Sequence, residues 1–219
     1  MYRNNLSGAE FWTSPHKAIT LLGMSGSGKT TLASRLPQRT WFHYSGDYRI
    51  GTRYLGEAIL DNAKREAMKS PLLAELLRSD SIYLCNNITV NNLKPLSGFL
   101  GMVGDPALGG LGIDEFKRRQ ALHRDAEVRA MLDVREFIDK SLEIYGYPHF
   151  INDAGGSLCE LDEPGVLEQL AEDTLVVYLK PSDEMLEKII ERSMDEPKPM
   201  YYRSEFLDHV LPEYLEEFS

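Results

Sequence analysis

Cysteine is nearly missing from this chain: Cys85 and Cys159 are the two in 219 residues. That is too few for a disulfide framework, and a reducing, cytoplasmic setting is the expectation. Long apolar runs are missing too. No stretch approaches the about 18 consecutive apolar residues that a helical membrane span requires. The opening "MYRNNLSGAEFWTSPHK" also lacks an apolar segment long enough for a signal peptide. Basic residues are outnumbered, 24 Lys and Arg against 34 Asp and Glu, for a net charge of -10. Neutralising a phosphate backbone needs basic surface, so nucleic acid is disfavoured as a partner; strong salt-dependent RNA binding would revive it. No repeat or low-complexity tract interrupts the sequence. What is present is 42% hydrophobic residues, enough for one sizeable core over residues 1–219.

Short apolar runs alternate with helical stretches, which predicts an α/β fold with a mostly parallel sheet. Residues 18–23, "AITLLG", read as the first strand, and "TTLASRL" as a helix that Pro37 ends. A second strand is expected over 40–47 and a helix over 56–69. Pro71 opens another helix, "LLAELLR". Residues 81–112 are dense in Asn, Gly and Pro and read mostly as loop. One long helix follows over 114–145, with Met131, Val134, Ile138, Leu142 and Tyr145 on one face. "HFINDAGG" reads as a third strand running into a glycine turn. "PGVLEQLAE" reads as a short helix. "TLVVYLK" (174–180) has the pattern of a buried strand. "SDEMLEKIIERS" begins on a capping serine, and "RSEFLDHVLPEYLEEF" closes the chain with Pro212 as a kink or break.

The stretch "GMSGSGKT" (23–30) satisfies G-x-x-x-x-G-K-[ST] at every fixed position, with a strand before it and a helix after it. Glycines let such a loop turn its N–H groups inward around a phosphate chain. The phosphate-binding set is Gly23, Ser25, Gly26, Ser27, Gly28, Lys29, Thr30 and Thr31. Lys29 would neutralise the β- and γ-phosphates, and the Thr30 hydroxyl would ligate Mg²⁺.

On residues 18–36 the chain resembles the P-loop NTPases, most closely their small-kinase branch (shikimate-kinase-like and adenylate-kinase-like); the likeness continues more weakly to about residue 205. The resemblance implies a three-layer α/β/α sandwich with ATP and Mg²⁺ as cofactors. It implies a loop-plus-helix insertion at 81–147 and a lid-like segment at 192–203. Small kinases place an Asp and then basic residues where the acceptor docks. In "SGDYRIGTRYLGEAI" these are Asp47, which would align or deprotonate the acceptor or hold Mg²⁺ through water, and Arg49 and Arg53, which would clamp an anionic group. Strand-end placement gives Asp153 a Mg²⁺ or base role, and Gly155 and Gly156 resemble the acceptor-side glycine turn. Asp47 and Asp153 as turn caps, with solvated arginines, are the competing readings.

In the lid-like segment Arg192, Lys198 and Arg203 are the basic residues, and Pro197 and Pro199 are expected to keep it out of a helix. Arg192 is favoured to reach the transferring phosphoryl group, and a solvated charge at a helix C-terminus is the competing reading. The basic run "FKRRQALHR" reads as a solvated helix face, and His43 as a core residue. No Asn/Thr-Lys-x-Asp guanine signature is present, so ATP is expected over GTP. The expected activity is phosphoryl transfer from ATP to a small-molecule acceptor. The alternative is an ATPase or nucleotide-dependent switch working through a protein partner, with 81–145 as the partner surface.

Overall fold

A computed structural model gives the fold and describes residues 7–195 and 200–218. Four strands, β1 (Lys17–Leu22), β2 (Trp41–Ser45), β3 (His149–Asp153) and β4 (Leu175–Tyr178), form one sheet in the order β2-β3-β1-β4. Every pairing is parallel. Parallel neighbours need crossovers, and helices supply them here. In chain order they are α1 (Gly8–Thr13), α2 (Lys29–Ser34), α3 (Gly46–Arg49), α4 (Gly56–Ala67), α5 (Pro71–Arg78), α6 (Lys94–Leu100), α7 (Ile113–Leu132), α8 (Val134–Glu143), α9 (Pro164–Asp173), α10 (Asp183–Asp195) and α11 (Ser204–Phe218). A π-turn, Ile50–Tyr54, joins α3 to α4.

Side chains alternate across the strands, and both faces of the sheet are covered. Ile19 and Leu21 of β1 join Ile151 of β3 against Ala33 of α2 and Leu36 beyond it. Ala18, Tyr44 and Phe150 point the other way, into the main core with Ala130, Met131, Val134 and Leu170 from α7, α8 and α9. Phe42 and Phe150 stack there at 5.8 Å. Fully burying one such side chain contributes about 1.5–3 kcal/mol. Register then sets the site. Leu21 pairs with Asp153, and Ser45 pairs with the same residue. The carboxyl ends of β1, β2 and β3 are therefore level, and the segments that follow them meet at one edge of the sheet.

Several expectations need correction. The second strand stops at Ser45, whose Oγ accepts from Tyr48 N (3.3 Å) and starts α3; Asp47 is in the first turn of that helix, not on the strand. The "VVY" strand is an edge, not a buried centre: Leu175 and Tyr178 are 41% and 59% exposed. The 81–112 stretch contains α6, which buries Leu96, Phe99 and Leu100. The long helix is two, α7 and α8, divided at Asp133. Of its expected face Met131 and Val134 are buried, whereas Leu142 and Tyr145 are exposed. Helix α11 continues through Pro212. Among the described residues no helix is long and apolar enough to cross a membrane.

Candidate functional site

The loop between β1 and α2 carries the G-x-x-x-x-G-K-T pattern. Gly28 has φ 95° and ψ 12°, the left-handed region that side chains avoid, and from there Lys29 starts α2. Lys29 is buried and folds back on the loop: its Nζ donates to Gly23 O (2.7 Å) and Met24 O (3.1 Å). Burial pushes its ammonium below the usual lysine range, against the pull of Asp153, Asp47, Glu127 and Cys159. Ser27 Oγ is buried with no hydrogen-bond partner among the described residues. Thr30 and Thr31 are exposed at the start of α2, and Gly26 lies against Ile189 of α10.

Three acids face Lys29. Asp153, at the end of β3, is 5% exposed, and its Oδ2 stands 3.5 Å from His43 Nε2. Asp47 is half-buried in α3. The third, Glu127 of α7, belongs to no motif and is fully buried. Ser157 Oγ donates to its Oε2 at 2.6 Å, and Oε1 has no hydrogen-bond partner among the described residues. Burial raises its carboxyl to about 7, helped by the charge of Asp47 and opposed by Ser157 and Lys29.

Gly155 and Gly156 bind this cluster together by close approach. A Cβ on Gly155 would lie 2.1 Å from Glu127 Oε1, and one on Gly156 would lie 3.1 Å from the Ser25 backbone. The turn after β3 is thus wedged between α7 and the loop. Its neighbour Asn152 is fully buried and donates to Thr20 Oγ1 at 3.2 Å within the sheet.

Helix α7 reaches the cluster with an unexpected face. The basic run read as solvated is half inside: Arg119, Gln120 and His123 are buried with Glu127 on one stripe, while Arg118 stays outside and pairs with Glu115 at 2.7 Å. Arg119 donates to Glu115 (2.7 Å), to Asn62 Oδ1 (2.8 Å) and to Phe99 O. Neither ring nitrogen of His123 has a hydrogen-bond partner among the described residues, and burial lowers its pKa to about 4. Helical spacing of four residues was the available signal, carried by polar side chains instead of apolar ones.

The arginines are elsewhere. Arg49 donates to Asp133 Oδ2 at 2.7 Å, shares that oxygen with Tyr54 OH (2.7 Å), and lies 4.8 Å over the Phe137 ring. Arg53 is exposed with no ion pair among the described residues. Arg192 is exposed in the last turn of α10, one turn beyond Ile189, and its Nε donates to Lys188 O at 3.1 Å. Of the expected lid, residues 196–199, with Pro197, Lys198 and Pro199, lie outside the described residues. Beyond them Arg203 pairs with Glu160 at 3.0 Å.

The structure therefore brings Lys29, Asp47, Asp153, Gly155 and Gly156 together and adds Glu127. It holds Arg49 on Asp133 and leaves Arg53 and Arg192 on the surface. Comparison with protein-family models, with curated proteins and with solved structures finds no match to this chain.

Proposed function

We propose that this chain binds ATP with Mg²⁺ at residues 23–30 and transfers the γ-phosphoryl group to a small-molecule acceptor. One observation carries the reading: a complete G-x-x-x-x-G-K-T loop stands between a parallel strand and a helix, at the edge where Asp47, Asp153 and 155–156 also converge. Ligands of open α/β sheets bind outside the carboxyl ends of the strands. The finer fold reading, a three-layer sandwich of the P-loop NTPase type, rests on α2 covering one face of the sheet and α7 to α9 the other.

The residues fit a nucleotide. Ser27 has an orphaned hydroxyl within the loop, and Lys29 is bound to carbonyls that a phosphate's charge would compete with. Among the described residues no group of three or more His, Cys, Asp or Glu could hold a metal alone. Mg²⁺ takes one or two protein ligands and completes its shell with phosphate and water. Thr30 would be its direct ligand and Asp153 would act through water; bound there, the ion would neutralise phosphate charge. Asp47 would orient the acceptor hydroxyl and take its proton, while the turn at 155–156 would form the acceptor's floor. Arg192 would swing in from α10, where Ile189 anchors that helix to Gly26.

Calorimetric titration with Mg·ATP tests this: heat of binding is expected for the native chain and none for Lys29→Ala at unchanged melting temperature. A second reading, an ATPase acting through a protein partner, is favoured by an apolar groove of about 460 Å³. Leu100, Val103, Phe116, Tyr202 and Leu207 are among its lining residues. ADP release that requires a small hydroxyl compound supports transfer; slow release in buffer, changed by a protein, supports the second reading.

A further inference from the structure

Glu127 has one engaged oxygen and one orphan. A buried polar atom left without a partner is rare enough to need a cause. Ser157 supplies the next link. Its hydroxyl has one proton, which it gives to Glu127 Oε2 at 2.6 Å. Its lone pairs are then free to accept, and Tyr201 N–H donates to them at 3.1 Å. The following residue is held the same way, Tyr202 N–H donating to Gln120 Oε1 on α7 at 3.0 Å. Arg203 completes the attachment through Cys159 O (3.3 Å) and Glu160 (3.0 Å). Residues 201–203 form a strap across the polar stripe of α7. On its other side the turn containing Ser157 presses on the loop through Gly156 and Ser25.

We propose that Glu127 is a positioning residue that couples the strap at 201–203 to the nucleotide end: through Ser157 it holds Tyr201, and through the turn at 155–156 it bears on Ser25 and the phosphate loop. This rests on the nucleotide reading above. The groups facing its carboxyl are Asp47 from α3, Lys29 from α2, and Ser157 and Cys159 from the segment after β3. His123 precedes it by one turn on α7, and Asp153 acts with it on the charge of Lys29. A carboxylate is a stronger acceptor than a carboxylic acid. With Glu127 raised to about 7, Ser157 is gripped more firmly as pH rises through neutrality. The strap tightens with it.

Amide hydrogen exchange at Tyr201 tests the coupling on the whole chain, with Mg·ATP as the probe. Ser157→Ala removes the acceptor of this amide, and exchange is expected to speed up about tenfold without ligand. Thermodynamic reciprocity requires the same bond to appear in nucleotide affinity. Ser157→Ala should weaken Mg·ATP about three- to tenfold, and saturating Mg·ATP should slow Tyr201 exchange in the native chain by the matching factor.

Corrected for intrinsic rates, Tyr201 protection should rise between pH 6 and 8 in the native chain and stay flat in Glu127→Gln. A Glu127→Gln protein that follows the native pH course overturns the role of Glu127. If that variant does not fold, a native pH course as flat as that of Ser157→Ala overturns it equally. Normal binding heat with a Tyr201 amide blind to Mg·ATP overturns the coupling alone, whereas absence of any heat overturns the nucleotide reading.

Discussion

Adding one methyl group at Gly155 probes the packing at the centre of the site. The new Cβ would stand 2.1 Å from Glu127 Oε1, 2.8 Å from its Cδ and 3.3 Å from its Cγ. Favourable contact between such atoms begins near about 3.5 Å. The carboxyl has no cheap escape, being fully buried and held by Ser157 at 2.6 Å. Overpacking of this kind costs about 1–3 kcal/mol, and breaking the Ser157 bond about 1 kcal/mol more. Gly155→Ala is therefore expected to lose about 2–4 kcal/mol. For a chain of this length that lowers the melting temperature by about 5–15 °C. Differential scanning calorimetry reads the loss. Glu127→Ala removes the obstructing carboxyl, so the double variant has room for the methyl group. The double-mutant cycle should return a favourable coupling of about 1–3 kcal/mol. A Gly155→Ala protein that melts with the native chain, or a double variant that loses the sum of the two single losses, would refute this close approach.

Lys29→Ala removes the ammonium held by Gly23 O and Met24 O. Its near-ultraviolet circular dichroism should match the native chain while Mg·ATP affinity falls at least about 100-fold; binding within threefold of native would refute the assignment of the loop. Arg49→Ala breaks the bond to Asp133 and the stacking on Phe137. It should cost about 1–3 kcal/mol in urea unfolding and leave nucleotide affinity unchanged, in keeping with a brace for α8. Arg192→Ala should leave stability within about 0.5 kcal/mol because the side chain is exposed. Turnover should fall at least about tenfold if this guanidinium closes over the reaction.

The frame of the candidate site was legible because its signals are local. The strand, the glycine loop and the lysine that starts α2 occupy one continuous stretch, and strand ends point to Asp153 and, within two residues, to Asp47. Proline and serine starts marked α5, α9 and α10 in the same way. What was missed depends on tertiary pairing. The β-branched run of β4 looks central, but only the strand order puts it at an edge. Arg49 looks available until Asp133, 84 residues away, is folded against it. The apolar positions Leu96, Phe99 and Leu100 already have helical spacing, yet Asn, Pro and Gly around them outweighed it. Glu127 shows the deeper reason. Patterns are read by counting apolar residues, and α7 turns Arg119, Gln120, His123 and Glu127 inward. A run of charges then looks like a surface when half of it is buried beside the candidate site.

That buried half sets two opposed pH dependences. Burial lowers His123 from 6.5 to about 4, whereas burial, aided by Asp47, raises Glu127 from 4.5 to about 7. The unfolded chain protonates its histidine first as pH falls. The stability linked to His123 is thus present above the ordinary value and is lost between 6.5 and 4. For Glu127 the folded chain keeps its proton longer. The stability linked to it is present below 4.5 and is lost as pH rises from there to 7. At about 1.4 kcal/mol per pH unit, each displacement amounts to about 3 kcal/mol. Between pH 4.5 and 6.5 the two slopes nearly cancel in the native chain. Separating them exposes each. As pH rises from 4.5 to 6.5, Glu127→Gln should gain stability relative to the native chain and His123→Leu should lose it, each by about 3 kcal/mol. Other carboxylates act alike in all three proteins and drop out of the differences. Urea unfolding at half-unit steps of pH measures the curves. Opposite slopes would mean that α7 carries its two ionisable groups as a compensating pair. Parallel curves would mean that water reaches the stripe and that neither group is displaced.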